Sequence, residues 1–343
     1  MATVAFHTLG CKVNSYESEA MLEIFKKRGY DNIDFESPAD VYVINTCTVT
    51  NTGDSKSRQM IRKAHRTNPD AVICVVGCYS QVASEEITEI EGVSVVLGTQ
   101  HRASIVDFVE EYKMTHKQIV KIENVMKVSR FEDLSIHAFE NKTRAFLKIQ
   151  DGCNNFCTYC IIPYARGAVR SRSKEDVLRQ AQELVDRGFV EIVLTGIHTA
   201  GYGVDLDNYS FYDLLVDLTT KIKGLKRLRI SSIEMSQVSD EIIELIGRSP
   251  IIVDHLHIPI QSGTDSILRR MARHYNTAEF EKKYFELKEA LPGISITTDV
   301  IVGFPGETEE DFVDTYNWIK KLHFNQLHAV SYTHLTLPTN SRV

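Results

Sequence analysis

The chain has 343 residues, of which 43% are hydrophobic and 25% charged, the mixture of a soluble globular protein with length enough for two cores. Its formal net charge of −7 argues against a broad phosphate-binding surface, which leaves a basic footprint. Seven cysteines, an odd number, exclude a fully paired disulfide framework and direct attention to metal binding or catalysis.

Along the chain, the opening MATVAFHTLGCKVN has neither a basic n-region nor an apolar h-region, and a secretory signal is not expected. No apolar run approaches the roughly 18 residues of a membrane span, so the expected location is the cytoplasm, away from membranes. Residues 1–113 alternate short Val- and Ile-rich runs (TVAFHTLG, DVYVINT, AVICVVG, VSVVLG) with amphipathic stretches (SYESEAMLEIFKKRG, TGDSKSRQMIRKAHR, SEEITEI). That alternation predicts an α/β domain with a doubly wound parallel sheet. Residues 114–143 loosen into charged, mixed sequence and read as a linker. A second alternating series occupies residues 144–328. Its strands are AFLKIQ, EIVLTG, RLRISS, HLHIPI, ITTDVIVG and QLHAVSY. Helices such as KEDVLRQAQELVDRG, FYDLLVDLTTKI and EDFVDTYNWIKKL follow them. Six such units predict a partial (β/α)6 barrel with its chemistry at the carboxyl ends of the strands; an open sheet is the competing layout and places the site at the same edge. Residues 329–343 form a tail with no convincing helix.

Two groups of cysteines stand out. Cys153, Cys157 and Cys160 form C-x3-C-x2-C just after the first strand of the second domain. Three thiolates on one loop suit three irons of a cubane cluster, leaving the fourth open for a ligand. A structural zinc site is the bland alternative, but it normally wants four ligands. Cys11, Cys47 and Cys78 are remote in sequence, yet each follows a predicted strand, and parallel strands bring such ends to one edge. Cys74 differs: it lies mid-strand among aliphatics, where a cysteine acts as a small hydrophobe. His255 and His257 share one face of their strand and read as satisfied core histidines. Arg166, Arg170 and Arg172 in YARGAVRSRS follow the triplet and are candidate RNA contacts, with a solvated basic loop as the plainer reading.

The triplet after the first barrel strand resembles the radical S-adenosylmethionine (SAM) enzymes. The contexts LGCKVN, NTCTVT and GCYSQ upstream of it resemble the methylthiotransferases within that superfamily. The wording of GCKVNSYE, NTCTVTNTGDSKSRQ, GCNNFCTYCIIPYARG and LTGIHTAGYG is most similar to the branch acting on threonylcarbamoyladenosine in tRNA, and the likeness runs from residue 2 to about His328. The resemblance implies two 4Fe-4S clusters, a radical SAM cluster on Cys153, Cys157 and Cys160 and an auxiliary cluster on Cys11, Cys47 and Cys78. It further implies that SAM lies near Tyr159, Thr195, Gly196, Gln261, Ser262, Gly303 and Pro305, the last two in the turn GFPGE.

The implied reaction is methylthiolation of C2 of the adenine at position 37, beside the anticodon, with SAM as both methyl donor and radical source. An aromatic C–H there is too weakly acidic for a side-chain base, so the hard chemistry falls to cofactors. The implied partners are tRNA through its anticodon loop, an electron donor such as flavodoxin or ferredoxin, and a sulfur source. The rival readings are a methylthiotransferase acting on isopentenyladenosine or on a ribosomal-protein aspartate, and a non-catalytic metal-stabilised scaffold. Relatives of this kind continue into a small RNA-binding module termed TRAM, whereas here AVSYTHLTLPTNSRV departs from the family pattern. On that basis an artefact is the suspected origin of the tail, and the chain is expected to bind clusters and SAM but to be weak or inactive on tRNA.

Overall fold

Branched aliphatic runs bounded by glycine or polar residues build the first sheet. In the computed structural model, which describes residues 2–134, 136 and 143–337, the order is β1 (Thr3–Thr8), α1 (Lys12–Lys27), β2 (Asp31–Asn32), β3 (Val41–Thr46), α2 (Asn51–Thr67), β4 (Val72–Gly77), α3 (Cys78–Val82), α4 (Ser84–Thr88), β5 (Val93–Leu97), α5 (Ile105–Thr115) and β6 (Ile119–Lys121). All pairings are parallel, in the order β2-β1-β3-β4-β5-β6. Every residue of β3, β4 and β5 is buried, as helices on both faces require. Strand alternation divides the core into two layers. Val43, Cys74, Val76 and Val95 meet Met21 and Phe25 of α1 and Val106 and Val109 of α5. Tyr42, Ile44, Ile73 and Val75 meet Ile61 and Ala64 of α2 on the other face. Each fully buried aliphatic side chain contributes about 1.5–3 kcal/mol by leaving water.

Within residues 114–143, read above as a linker, β6 pairs with β5 and closes the sheet edge. Its three residues are too short for a period-2 pattern to show. The first compact unit takes in Met1–Lys142 together with Ile161–Ala168, and the second takes in Thr143–Cys160 and Val169–Val343. The excursion 161–168 supplies α6 (Ile162–Arg166), which lies against α3 and the helical turn Val125–Lys127 of the first unit.

The second unit contains β7 (Ala145–Lys148), β8 (Gln150–Asp151), β9 (Arg170–Ser171), α7 (Lys174–Asp186), β10 (Glu191–Thr195), α8 (Phe211–Lys221), β11 (Arg227–Ile230), α9 (Asp240–Arg248), β12 (His255–His257), α10 (Asp265–Arg270), α11 (Thr277–Ala290), β13 (Ser295–Val302), α12 (Glu309–Leu322) and β14 (Gln326–Ser331). Parallel ladders β11-β10-β7 and β12-β13-β14 are joined by parallel bridges between Leu228 and Ile252 and between Ser232 and His257. The result is the expected partial barrel, six parallel strands in chain order. The β12 ladder is short because Pro259 has no amide to donate and Gln261 takes a positive φ of 63°. Ser173, Ser210, Ser239, Asn276 and Thr308 cap the helices that follow each strand. Of the segment 329–343, residues 329–337 are described. There β14 runs to Ser331, and Leu335 is buried beside Ile267, Met271, Ile301 and Phe304.

Candidate functional site

In the first unit, Cys11, Cys47 and Cys78 follow β1, β3 and β4, three neighbours in the sheet. Strand order reverses between β1 and β3, and the carboxyl ends at such a reversal form the ligand crevice of open α/β sheets. Cys11 caps α1 and Cys78 opens α3. All three are free thiols. Burial pushes the Cys78 thiol up to about 12, Arg166 opposes the rise, and Cys11 and Cys47 add to it. Burial also raises Cys47; the Val49 backbone opposes this and Cys11 reinforces it. Cys47 and Cys78 therefore both sense the thiol of Cys11.

Gly10 makes their approach possible. Its φ is +103°, and a Cβ there would lie 2.8 Å from the Cys47 Cβ and 2.9 Å from its Sγ. Asn14, one turn into α1, donates to the carbonyls of Leu9 at 2.8 Å and Thr46 at 2.9 Å, tying together the strand ends that precede Cys11 and Cys47. Among the described residues no group of three His, Cys, Asp or Glu is arranged to hold a metal ion. A cubane spreads three thiolates over three different irons, so free thiols on three strand ends fit such a cluster better than a mononuclear zinc. Cys74 is fully buried in β4, in the core layer facing α1 and α5.

In the second unit the triplet occupies the loop after β8. Gly152 (φ 76°) and Phe156 (φ 46°) turn it, and the amide of Cys160 donates to the carbonyl of Cys157 at 2.9 Å. The loop is held from outside. The amide and hydroxyl of Thr158 donate to the carbonyls of Met271 (3.2 Å) and Arg270 (2.9 Å). Arg273 donates to the Cys157 Sγ at 3.4 Å and pairs with Glu234 at 3.0 Å, and Glu234 also accepts from Asn155 at 2.9 Å. Burial raises the Cys153 thiol to about 11, against a hydrogen bond from the Asn155 backbone.

Two of the residues singled out for SAM, Gly196 and Pro305, are linked to this loop through Gln150 and Arg270. A Cβ on Gly196 would stand 2.9 Å from the Gln150 Oε1. Gln150 uses that oxygen to accept from the His198 amide at 2.8 Å and its own amide to hold the carbonyls of Asp151 and Gly152, both at 2.6 Å. Arg270 donates to the carbonyl of Pro305 at 3.2 Å, so the residue whose own carbonyl anchors Thr158 also fixes the GFPGE turn. Glu307 closes that turn by accepting from the amides of Gly303 and Phe304. Gln261 accepts from the Ile301 amide at 2.9 Å through its carbonyl. Tyr159 packs beside the cluster of Ile267, Met271 and Phe304.

Thr195 and Ser262 are buried, with their hydroxyls on the Val193 carbonyl (3.2 Å) and beside the Thr315 hydroxyl of α12 (3.5 Å). Arg166, Arg170 and Arg172 are 0%, 1% and 1% exposed and do not act as RNA contacts. Arg166 pairs with Glu17, Arg170 lies 3.9 Å from Asp151, and Arg172 is held by Gln180. Pulling a buried guanidinium off its partner costs about 3–5 kcal/mol.

Sequence reading passed over Asn14, Glu17, Arg102, Glu234, Arg270 and Arg273. Asn14 and Glu17 had a signal: both lie on the buried stripe of α1 with Val13, Ala20 and Met21, where a polar residue must have a partner. Arg273 follows α10, whose six residues leave no periodicity to detect.

Three free thiols on one loop after the first strands of a parallel arc are the type of donor set that an iron–sulfur cofactor uses. Residues 147–319 match the radical SAM superfamily, and residues 3–98 match a family described as uncharacterized protein family UPF0004. A Bacillus subtilis (strain 168) protein named threonylcarbamoyladenosine tRNA methylthiotransferase MtaB is 58% identical over 98% of this chain and 74% of its own length. The Aquifex aeolicus protein of the same name is 40% identical over 96% of this chain and 80% of its own. A Finegoldia magna protein named tRNA-2-methylthio-N(6)-dimethylallyladenosine synthase is 35% identical over 96% of this chain and 72% of its own. In fold, the chain is similar to a solved structure of the radical S-adenosylmethionine methyltransferase TsrM from Kitasatospora setae, with TM-score 0.69, 14% identity, and coverage of 96% of this chain and 73% of that one. The chain belongs to the radical SAM methylthiotransferase family, which works with SAM and a 4Fe-4S cluster. No helix among the described residues is long and apolar enough to cross a membrane.

Proposed function

We propose that the chain methylthiolates C2 of N6-threonylcarbamoyladenosine at position 37 of tRNA, in the cytoplasm, taking electrons from a small donor such as a flavodoxin or ferredoxin and sulfur from a separate source. The observation that carries this reading is the 58% identity, over 98% of the chain, to the B. subtilis enzyme of that name. Cys153, Cys157 and Cys160 would hold the cluster that works with SAM, and Cys11, Cys47 and Cys78 would hold a second, auxiliary cluster. When bound, these groups supply radical generation, the methyl group and a carrier for sulfur.

The chain's own residues orient and shield. Arg273, Glu234 and Asn155 fix the cysteine loop. Arg270 couples that loop to the GFPGE turn, and Gln150 holds the loop entrance against Gly196. Burial raises the thiols of Cys47, Cys78 and Cys153 and favours their protonated forms until metal binding displaces the protons.

Mass spectrometry of tRNA nucleosides from a strain lacking the gene tests the substrate. Loss of the methylthio-threonylcarbamoyl nucleoside, restored by the gene, is the expected result. Loss of the methylthio-isopentenyl nucleoside instead would favour the reading suggested by the F. magna relative.

A further inference from the structure

The first unit contains a charged assembly that the reaction outlined above does not use. Arg166, carried on α6, is fully buried, as are Glu17 of α1 and Arg102. The Arg166 Nε donates to the Cys78 Sγ at 3.2 Å. Its terminal nitrogens reach the Glu17 carboxylate at 2.7 and 3.1 Å and the Asn14 Oδ1 at 2.8 Å. Glu17 is shared with Arg102 at 2.5 Å, and Arg102 also pairs with Glu132 at 2.7 Å. Two guanidinium and two carboxylate charges thus balance before any thiolate is counted. Asn14 spends its amide hydrogens on the Leu9 and Thr46 carbonyls. One hydrogen-bonded chain therefore joins all three cysteine-bearing strand ends: Cys78 through Arg166, and the approaches to Cys11 and Cys47 through Asn14.

Burying three charges beside a fourth that is only partly buried is costly, and apolar side chains of similar volume would often be as stabilising. Stability alone is therefore a weak reason for this arrangement. The part of it aimed at a reactive atom is the Nε–H on the Cys78 sulfur. Hydrogen bonds to ligand sulfurs, together with net local charge, set the potential of iron–sulfur clusters.

Resting on the reading that Cys11, Cys47 and Cys78 hold an auxiliary cluster, we propose that Arg166 is a positioning residue of that cluster. It donates a charge-assisted hydrogen bond to the Cys78 sulfur, holds Cys78 in register with Cys11 and Cys47 through Asn14, and raises the cluster's reduction potential. Glu17 and Arg102 keep the guanidinium in place.

The test is EPR-monitored potentiometric titration of the anaerobically reconstituted full chain, comparing wild type with R166Q and R166K. The cluster on Cys153, Cys157 and Cys160 acts as the internal reference in each sample. R166Q should shift the auxiliary couple at least tenfold toward the oxidised form, about 59 mV for a one-electron couple, and leave the reference couple in place. R166K, which keeps the charge but loses the planar fork, should shift it less. Two clusters whose potentials ignore both substitutions would overturn the proposal and leave the two-cluster reading standing. Wild-type protein holding a single cluster would overturn both. Equal loss of both clusters in R166Q and R166K, with a lowered unfolding transition, would show a purely structural role and also overturn the proposal.

Discussion

At the scale of single residues, Gly10 is the sharpest constraint on the auxiliary site. Gly10→Ala places a side chain at a positive φ, which costs about 1–3 kcal/mol, and drives its methyl into Cys47. Iron content after reconstitution should fall from about eight to about four per chain, with the survivor on the triplet. The cysteines themselves should separate two functions: replacing Cys153, Cys157 and Cys160 by Ala should abolish reductive SAM cleavage. Replacing Cys11, Cys47 and Cys78 should spare it and stop sulfur insertion, both read by product mass spectrometry. Thiol ionisation adds a pH dependence. An unfolded cysteine ionises near 9, whereas folded Cys78 keeps its proton to about 12 and Cys153 to about 11. Across that window the unfolded chain binds fewer protons, so the metal-free fold should lose stability as pH rises. Denaturant melts of the metal-free protein at about pH 8 and about pH 10 check the sign.

At the scale of elements, α7, α8, α9, α11 and α12 each begin with a side-chain cap for their orphan amides. Thr308 and Asp311 form a reciprocal box at the start of α12, and the hydrogen bonds from Ser266 and Thr308 pull the Asp311 carboxyl down to about 2. Thr308→Ala should cost about 1 kcal/mol, visible in chemical denaturation with an unchanged slope. Leu147, fully buried in β7, should cost about 2–5 kcal/mol when cut to Ala. These elements also show how far the sequence could be read. The long strands and amphipathic helices stood out because burial on both faces or on one stripe writes a period into the residues. β6, α3 and α10 did not, because segments of three to six residues are fixed by their neighbours rather than by their own pattern. The six ligand candidates were legible as cysteines after strands. Arg166 was noticed for its charge and misjudged in direction, since no sequence pattern separates a guanidinium facing phosphate from one facing a buried Glu17.

At the scale of the whole molecule, the first unit is discontinuous: after Cys160 the chain returns to it for residues 161–168 and then leaves again. Dissection at one point therefore cannot yield the first unit intact. A fragment ending at residue 142 would lack Ala165 and Arg166, both fully buried, leaving the Thr99 hydroxyl without the Ala165 carbonyl and Glu17 with half its cationic partners. Such a fragment should be cleaved faster in limited proteolysis than the same region within the full chain. Grafting a peptide of residues 161–168 back through a flexible tether should slow the cleavage. An evolutionary or engineered exchange of the barrel for another would have to carry those eight residues along, which makes the two halves hereditary companions rather than interchangeable modules.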